Sequence, residues 1–313
     1  MHKQITKNQH IVPQRHLRQF SIDSDANKIK GFDCDNFLIL KKDQSIKSVC
    51  CGYFHYALKP GEEDEYSQQV EDAFGNLEDW YGKNIERIEK LLLGKGKICT
   101  HDRFAISCIV ANFYFRGEGF RKEALNTSKS LVDWLSPTVA DHLYEEAGKK
   151  YPEVSRGNKE VFKKITDDEL FNEASKTCYA TQRSFDVGLA NTLTHKSWEI
   201  FINNSDYPFI TSDEAVIDLI NNKIPNRLNG AWLLKTQIFN LSPRISIVFS
   251  FYPGEDMHGA TSYKDISSLK EEIFRQNLYY IKFSNKYAYS GDVNFFEEFI
   301  VARNSGKFDG LAI

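Results

Sequence analysis

The chain has 313 residues, with 40 Lys+Arg against 43 Asp+Glu and a formal charge of -3. Apolar residues make up 41 % and charged residues 27 %, which excludes a disordered chain and is enough for a large core. The near balance of charge excludes a polybasic protein that coats nucleic acid by charge alone, but not a local basic pocket.

Residues 29–32 and 37–40 read as short strands, joined by the polar turn Asp33-Cys34-Asp35-Asn36. Pro60-Gly61 followed by acids marks the entry to a helix. Val70, Phe74, Leu77, Tyr81, Ile85, Ile88 and Leu92 recur every three or four residues, so they share one helical face with Glu71 and Glu78 on its margin. Gly94-Lys95-Gly96 ends that helix. A second helix is expected from about Thr100 to Arg116, apolar nearly all round and therefore crossing the core. Gly117-Glu118-Gly119 breaks it. Helical pattern resumes over 120–135 and again after Pro137, where proline suits a first turn. Residues 151–164 read as loop with a short helix, and 167–193 as helix.

Beyond residue 196 the pattern turns to strands, at 198–202, 207–211, 237–241 and 245–252, with a turn at Asn221-Asn222-Lys223. A helix is expected at 266–283, a strand at 287–289 and a last helix at 293–304. The fold class is α+β: a mostly helical N-terminal and central part packed on a small, mainly antiparallel C-terminal sheet. Residues 1–313 are expected to form a single compact unit, with a subdivision into a helix-rich 1–196 and a strand-rich 197–313. No apolar run is long enough for a membrane helix, and the N-terminus lacks the apolar stretch of a secretory signal, so a cytoplasmic protein without a membrane partner is expected. The six cysteines contain no C-x-x-C pair, the usual structural zinc spacing.

The most unusual segment is Gln9-His10-Ile11-Val12-Pro13-Gln14-Arg15-His16-Leu17-Arg18-Gln19-Phe20. His10 is a candidate general acid or base, and Arg18 a candidate anion holder through a bidentate contact. If Pro13 starts a helical turn, Leu17 and Phe20 share a face and Arg18 points elsewhere. Arg116 and Arg121 flank the helix break and form a candidate phosphate or carboxylate clamp, or else pair with nearby acids. Ser212-Asp213 follows a strand-like run. Asp213 could accept a proton, orient His10, bind a metal or simply form a turn. Asn277 lies among Ile273, Phe274, Leu278 and Ile281 and must find partners, at a site or by tying a loop.

Two resemblances bear on these residues. His10-Ile11-Val12-Pro13 resembles the His-centred opening of HNH endonucleases, in which the histidine activates water beside a divalent metal, although Gln9 stands where such enzymes often place an acidic ligand. Across the whole chain, the order of His10, Val12, Pro13, Gln14, Leu17, Arg18 and Phe20, then Phe209-Ile210-Thr211-Ser212-Asp213, then Leu241-Ser242-Pro243, resembles the bacterial domain-of-unknown-function family four-two-three-eight. Its members show H-Y-V-P-Q-x-Y-L-R-x-F, F-I-T-S-D-x-P-V and P-L-S-P. Here His16 replaces an aromatic, Ala215 the first proline of the later pair of motifs and Asn240 the second. The resemblance implies a role in mobile elements or phage conflict, by analogy alone.

The reading that follows is a phosphodiester- or nucleotide-processing, nuclease-like enzyme, a toxin or phage-defence effector. His10, Asp213 and Arg18 would be catalytic, and Arg116, Arg121, Ser212 and Asn277 would bind substrate, with or without a divalent metal. The alternative is a non-catalytic module that senses an anion or nucleotide, or binds a protein partner.

Overall fold

A computed structural model describes residues 5–23, 25–57, 65–151, 159–219, 235–251 and 259–306. In chain order the elements are β1 (Asn8–His10), α1 (Gln14–Leu17), β2 (Lys28–Asp33), β3 (Leu38–Ile39), β4 (Gln44–Ser45), β5 (Cys51–Tyr53), α2 (Glu65–Leu93) and α3 (Thr100–Arg116). They continue with α4 (Glu118–Lys150), α5 (Lys159–His195), β6 (Ser197–Ile202), β7 (Thr211–Ser212), β8 (Val216–Leu219), β9 (Thr236–Ser242) and β10 (Ile245–Ser250). The last are β11 (Thr261–Asp265), α6 (Lys270–Phe283), β12 (Tyr287–Ser290) and α7 (Asn294–Asn304). The fold is α+β. The expected helix entry at 60–64, the turn at 221–223 and most of the loop at 152–158 lie outside the described residues.

The chain divides into two compact units that interleave along the sequence rather than separating at residue 196. One comprises Met1–Glu118 and Asp186–Ile313, the other Gly119–Phe185. The second is helical, built from most of α4 and α5. There α4 runs straight through Pro137 instead of restarting at it, giving up one intrahelical hydrogen bond. Ser136 Oγ donates to Asp167 within this unit.

The first unit holds the strands. One five-stranded sheet has the order β11-β6-β10-β9-β8, antiparallel except for the parallel β11–β6 pair. A second runs β3-β2-β12-β7, with β4 also on β2, and joins the two ends of the sequence: Gly31 lies opposite Tyr289, and Ala288 opposite Ser212. β1 pairs with β5 in a two-stranded ribbon that sets His10 opposite Cys51. The N-terminal region is thus richer in short strands than the composition suggested. Asp33 closes the 33–36 turn as expected, its carboxylate accepting the Asp35 and Asn36 N–H groups at 3.0 Å.

Residue spacing explains which helix faces are buried. In α6, Ile273, Phe274, Asn277, Tyr280 and Ile281 fall three and four apart and face the core; in α7, Phe295, Phe296, Phe299 and Ala302 do the same. These residues pack with Phe32, Phe209, Ile210, Ile217 and Ile238 in one cluster. α3 is buried along most of its length, from Asp102 to Arg116, as its all-round apolar character requires.

Candidate functional site

α3 ends inside the first unit, and its last residue organises a charged cluster. Arg116 is fully buried. Its Nε donates to Tyr56 Oη at 3.0 Å, Nη1 to Glu78 Oε1 at 2.5 Å and Nη2 to the carbonyl oxygen of His10. Tyr56 Oη also donates to that carbonyl, at 2.8 Å. The guanidinium lies 4.6 Å above the Phe74 ring. The helix ends at Gly117, whose N–H donates to Tyr114 O at 3.2 Å.

Glu71 and Glu78 are two turns apart on α2, and both come within the field of Arg116. Glu71 Oε2 is buried and makes no hydrogen bond. Burial pushes its carboxyl up to about 7; Arg116 pulls against this, and Glu78 and Asp72 add to it. The His10 ring behaves oppositely: burial lowers it below the ordinary imidazole value, with Glu78 opposing and Arg116 reinforcing. Its Nε2 is buried without a well-formed hydrogen bond. Beside one cation, burial thus lowers the imidazole and raises the carboxyl, moving the two in opposite directions.

The structure brings together His10 and Arg116 from the expected set, but through the His10 main chain. All three Arg116 nitrogens are spent on protein groups, so this guanidinium acts as a scaffold for the His10 strand. Gln9 is likewise structural: it is buried, and its Oε1 accepts the Tyr56 N–H at 2.8 Å. Leu17 and Phe20 are buried on one side, and Arg18 is half-buried. Arg18 Nη2 reaches Gln14 Oε1 only at 3.5 Å, and its Nε is buried without a partner. His16, at the position where the motif has an aromatic, is used as one. It stacks on Phe239 at 5.2 Å, bonds Tyr81 Oη and Thr211 Oγ1 at 3.2 Å each, and burial drives it down to about 3, so it is neutral.

Asp213 stands elsewhere. Its carboxylate accepts the backbone N–H groups of Asn285, Lys286 and Tyr287, each at 2.8 Å, and its own N–H donates to Tyr287 O at 2.9 Å. Burial pushes the carboxyl up to about 6, and the three amides pull it down, so it is ionised at neutral pH. It clasps the start of β12 to the end of β7 and makes no hydrogen bond to His10. It lines a cavity of about 330 Å3 together with Glu118, Cys50, Cys51, Lys286 and Tyr289. Burial raises both thiols, so neither is a ready nucleophile.

Ser212 Oγ donates to Glu214 O at 2.7 Å and accepts the Glu214 N–H, closing a tight turn. Asn277 holds residues 208–210, accepting the Ile210 N–H at 3.1 Å and donating to Pro208 O at 2.9 Å. Asn240 completes that tie by donating to Ile210 O at 2.7 Å. Arg121 belongs to the second unit, where its side chain is buried. Among the described residues no group of three or more His, Cys, Asp or Glu is placed to hold a metal ion. No helix of the described residues is long and apolar enough to cross a membrane.

A family profile matches residues 8–294, and its description is a protein of unknown function, DUF4238. The chain belongs to that family. The DUF4238 match opens at the first residue of β1 and closes at the first of α7, so it includes both the Arg116 cluster and the Asp213 clasp. No curated protein and no solved structure matches the chain. Tyr56, the residue that joins Arg116 to the His10 strand, carries no motif in the sequence. From the sequence, His10, Arg116 and the α2 pair Glu71 and Glu78 were the residues of this place in view.

Proposed function

We propose that this chain is a phosphodiester- or nucleotide-processing enzyme in which His10 is the general base and Glu71 the general acid. The observation that carries this reading is the placing of an imidazole held low and a carboxyl held high around the buried Arg116–Glu78 pair. At neutral pH His10 is then unprotonated and able to take a proton, while Glu71 retains one to give. The Arg116–Glu78 pair fixes the His10 main chain, and Arg18, with an unsatisfied Nε, is the cation left to meet a phosphate. A toxin or phage-defence effector is the setting proposed for such an activity.

A second reading, a non-catalytic module that senses an anion or nucleotide, is favoured by one observation. Arg116 and Asp213, two charges of the expected set, are both fully engaged by protein groups. The two readings separate on incubation of the purified chain with RNA, DNA and nucleotides, with and without divalent cations. Wild type is expected to release product, and His10→Ala to lose about 100-fold or more in rate. The variant keeps the carbonyl that Arg116 and Tyr56 grip, so its melting temperature is expected to hold. Absence of turnover in wild type, with ligand binding lost in His10→Ala, would establish the sensor.

A further inference from the structure

The α2–α3 loop, Gly94-Lys95-Gly96-Lys97-Ile98-Cys99, borders a cavity of about 540 Å3, within the ~300–1,000 Å3 range of small-molecule sites. Its basic lining is Lys95, Lys97, Arg103 and His195, and among the described residues no Asp or Glu lines it. The α3 N-terminus at Thr100 opens on the same space and adds partial positive charge.

Arg103 is the informative residue. It is only 9 % exposed. It donates to Thr194 O at 2.7 Å, to Thr261 Oγ1 at 2.7 Å and to Lys196 O at 2.5 Å, and its guanidinium lies 4.2 Å over the Trp198 ring. Every one of these acceptors is neutral, and among the described residues Arg103 has no carboxylate partner. Arg116, more deeply buried, has Glu78 against it and Glu71 nearby. A buried cation normally requires a counter-charge, and the cavity is where one can arrive.

The nearby acids among the described residues are otherwise employed. Asp102 pairs with Arg87 at 2.6 Å, and Asp265, in the field of Lys95, accepts from Ser267. The backbone is also shaped to the site. Gly259 has φ +25°, and a Cβ there would strike Arg103 Nη2 and Lys196 O, so only glycine lets this segment pass the guanidinium. Lys95 is held at φ +52°, a left-handed conformation that glycine or asparagine adopts at less cost.

We infer that this cavity binds a phosphate-bearing small molecule, with Arg103 at its base and Lys95 and Lys97 at its mouth. None of its lining residues belongs to the Arg116 cluster, so the inference stands apart from the catalytic reading of His10. The test is calorimetric titration of the full chain with inorganic phosphate, pyrophosphate, a nucleoside triphosphate and the corresponding unphosphorylated nucleoside. The variant is the double substitution Lys95→Glu/Lys97→Glu, at two exposed lysines outside any ion pair among the described residues. Saturable binding of at least one phosphate-bearing probe is expected, weakening with salt, with none for the nucleoside. The double variant should bind about 10-fold more weakly or worse. Tighter binding of the triphosphate than of pyrophosphate would support a nucleotide, and equal affinity a phosphate group alone. Failure of all three phosphate-bearing probes to bind, or equal binding by wild type and the double variant, would overturn the inference.

Discussion

Arg116→Met is expected to lower the unfolding free energy by about 3–5 kcal/mol, the range for breaking one side of a buried ion pair. Methionine matches the length and apolar character of the stem, so packing against Phe74 is largely kept. The loss is therefore electrostatic. Glu78 is left without its cation, the His10 carbonyl loses one of its two donors, and Glu71 loses the charge that moderates its burial. Arg116→Lys should recover only part, because one ammonium cannot serve three separated acceptors in the way a planar fork does. Urea denaturation followed by tryptophan fluorescence measures this directly. A loss below about 1 kcal/mol in the methionine variant would mean that the cluster does not anchor the His10 strand.

Asp213→Ala is expected to cost about 3 kcal/mol, because three backbone N–H groups lose their common acceptor and each buried donor left unsatisfied costs about 1–3 kcal/mol, partly relieved by water. Asp213→Asn keeps one acceptor oxygen and should cost about half as much. Hydrogen exchange at the amides of Asn285, Lys286 and Tyr287 should rise in both variants, since these are the groups uncovered. The same pair of variants distinguishes a clasp from a catalytic carboxylate. A clasp weakens the fold in Asn and more in Ala. A catalytic group would lose turnover in Asn with unchanged stability and unchanged exchange.

How far the fold could be read depended on how much of each element's identity is local. α2 and α3 were legible because Phe74, Tyr81, Ile85, Ile88 and Leu92 keep a strict helical period, and because α3 is apolar on every side. β11 was not. Thr261–Asp265 is polar and mostly exposed, and becomes a strand through parallel pairing with β6, a tertiary relation that no local pattern announces. β1, β4 and β5 are too short to show alternation. Pro137 misled because proline marks a helix start more often than an interior, and here the helix tolerates it.

The site divides in the same way. His10 was visible as an unusual histidine, and Arg116 as a cation at a helix break. Their relation was not visible, since it runs through a main-chain carbonyl and through Tyr56, which carries no motif. Asp213 and Asn277 were visible as polar residues needing partners, and both find them in backbone of distant sequence: Asp213 at 285–287 and Asn277 at 208–210. The uncompensated charge of Arg103 was invisible, because it depends on α3, α5 and β11 meeting. A cation in a sequence does not reveal whether an acid reaches it.

The pH dependence of kcat/KM on a phosphodiester or nucleotide substrate, in wild type and in Glu71→Gln, tests the acid–base assignment most directly. His10, held below its ordinary value, must be unprotonated, so the rate should climb as pH rises through a value below 6.5. Glu71, raised to about 7, must keep its proton, so the rate should fall as pH rises past that point. A bell with its maximum below pH 7 is expected in wild type, with a lower maximum and no alkaline limb in Glu71→Gln. A wild-type profile lacking the alkaline limb, or one that Glu71→Gln leaves unchanged in height and shape, would contradict the account.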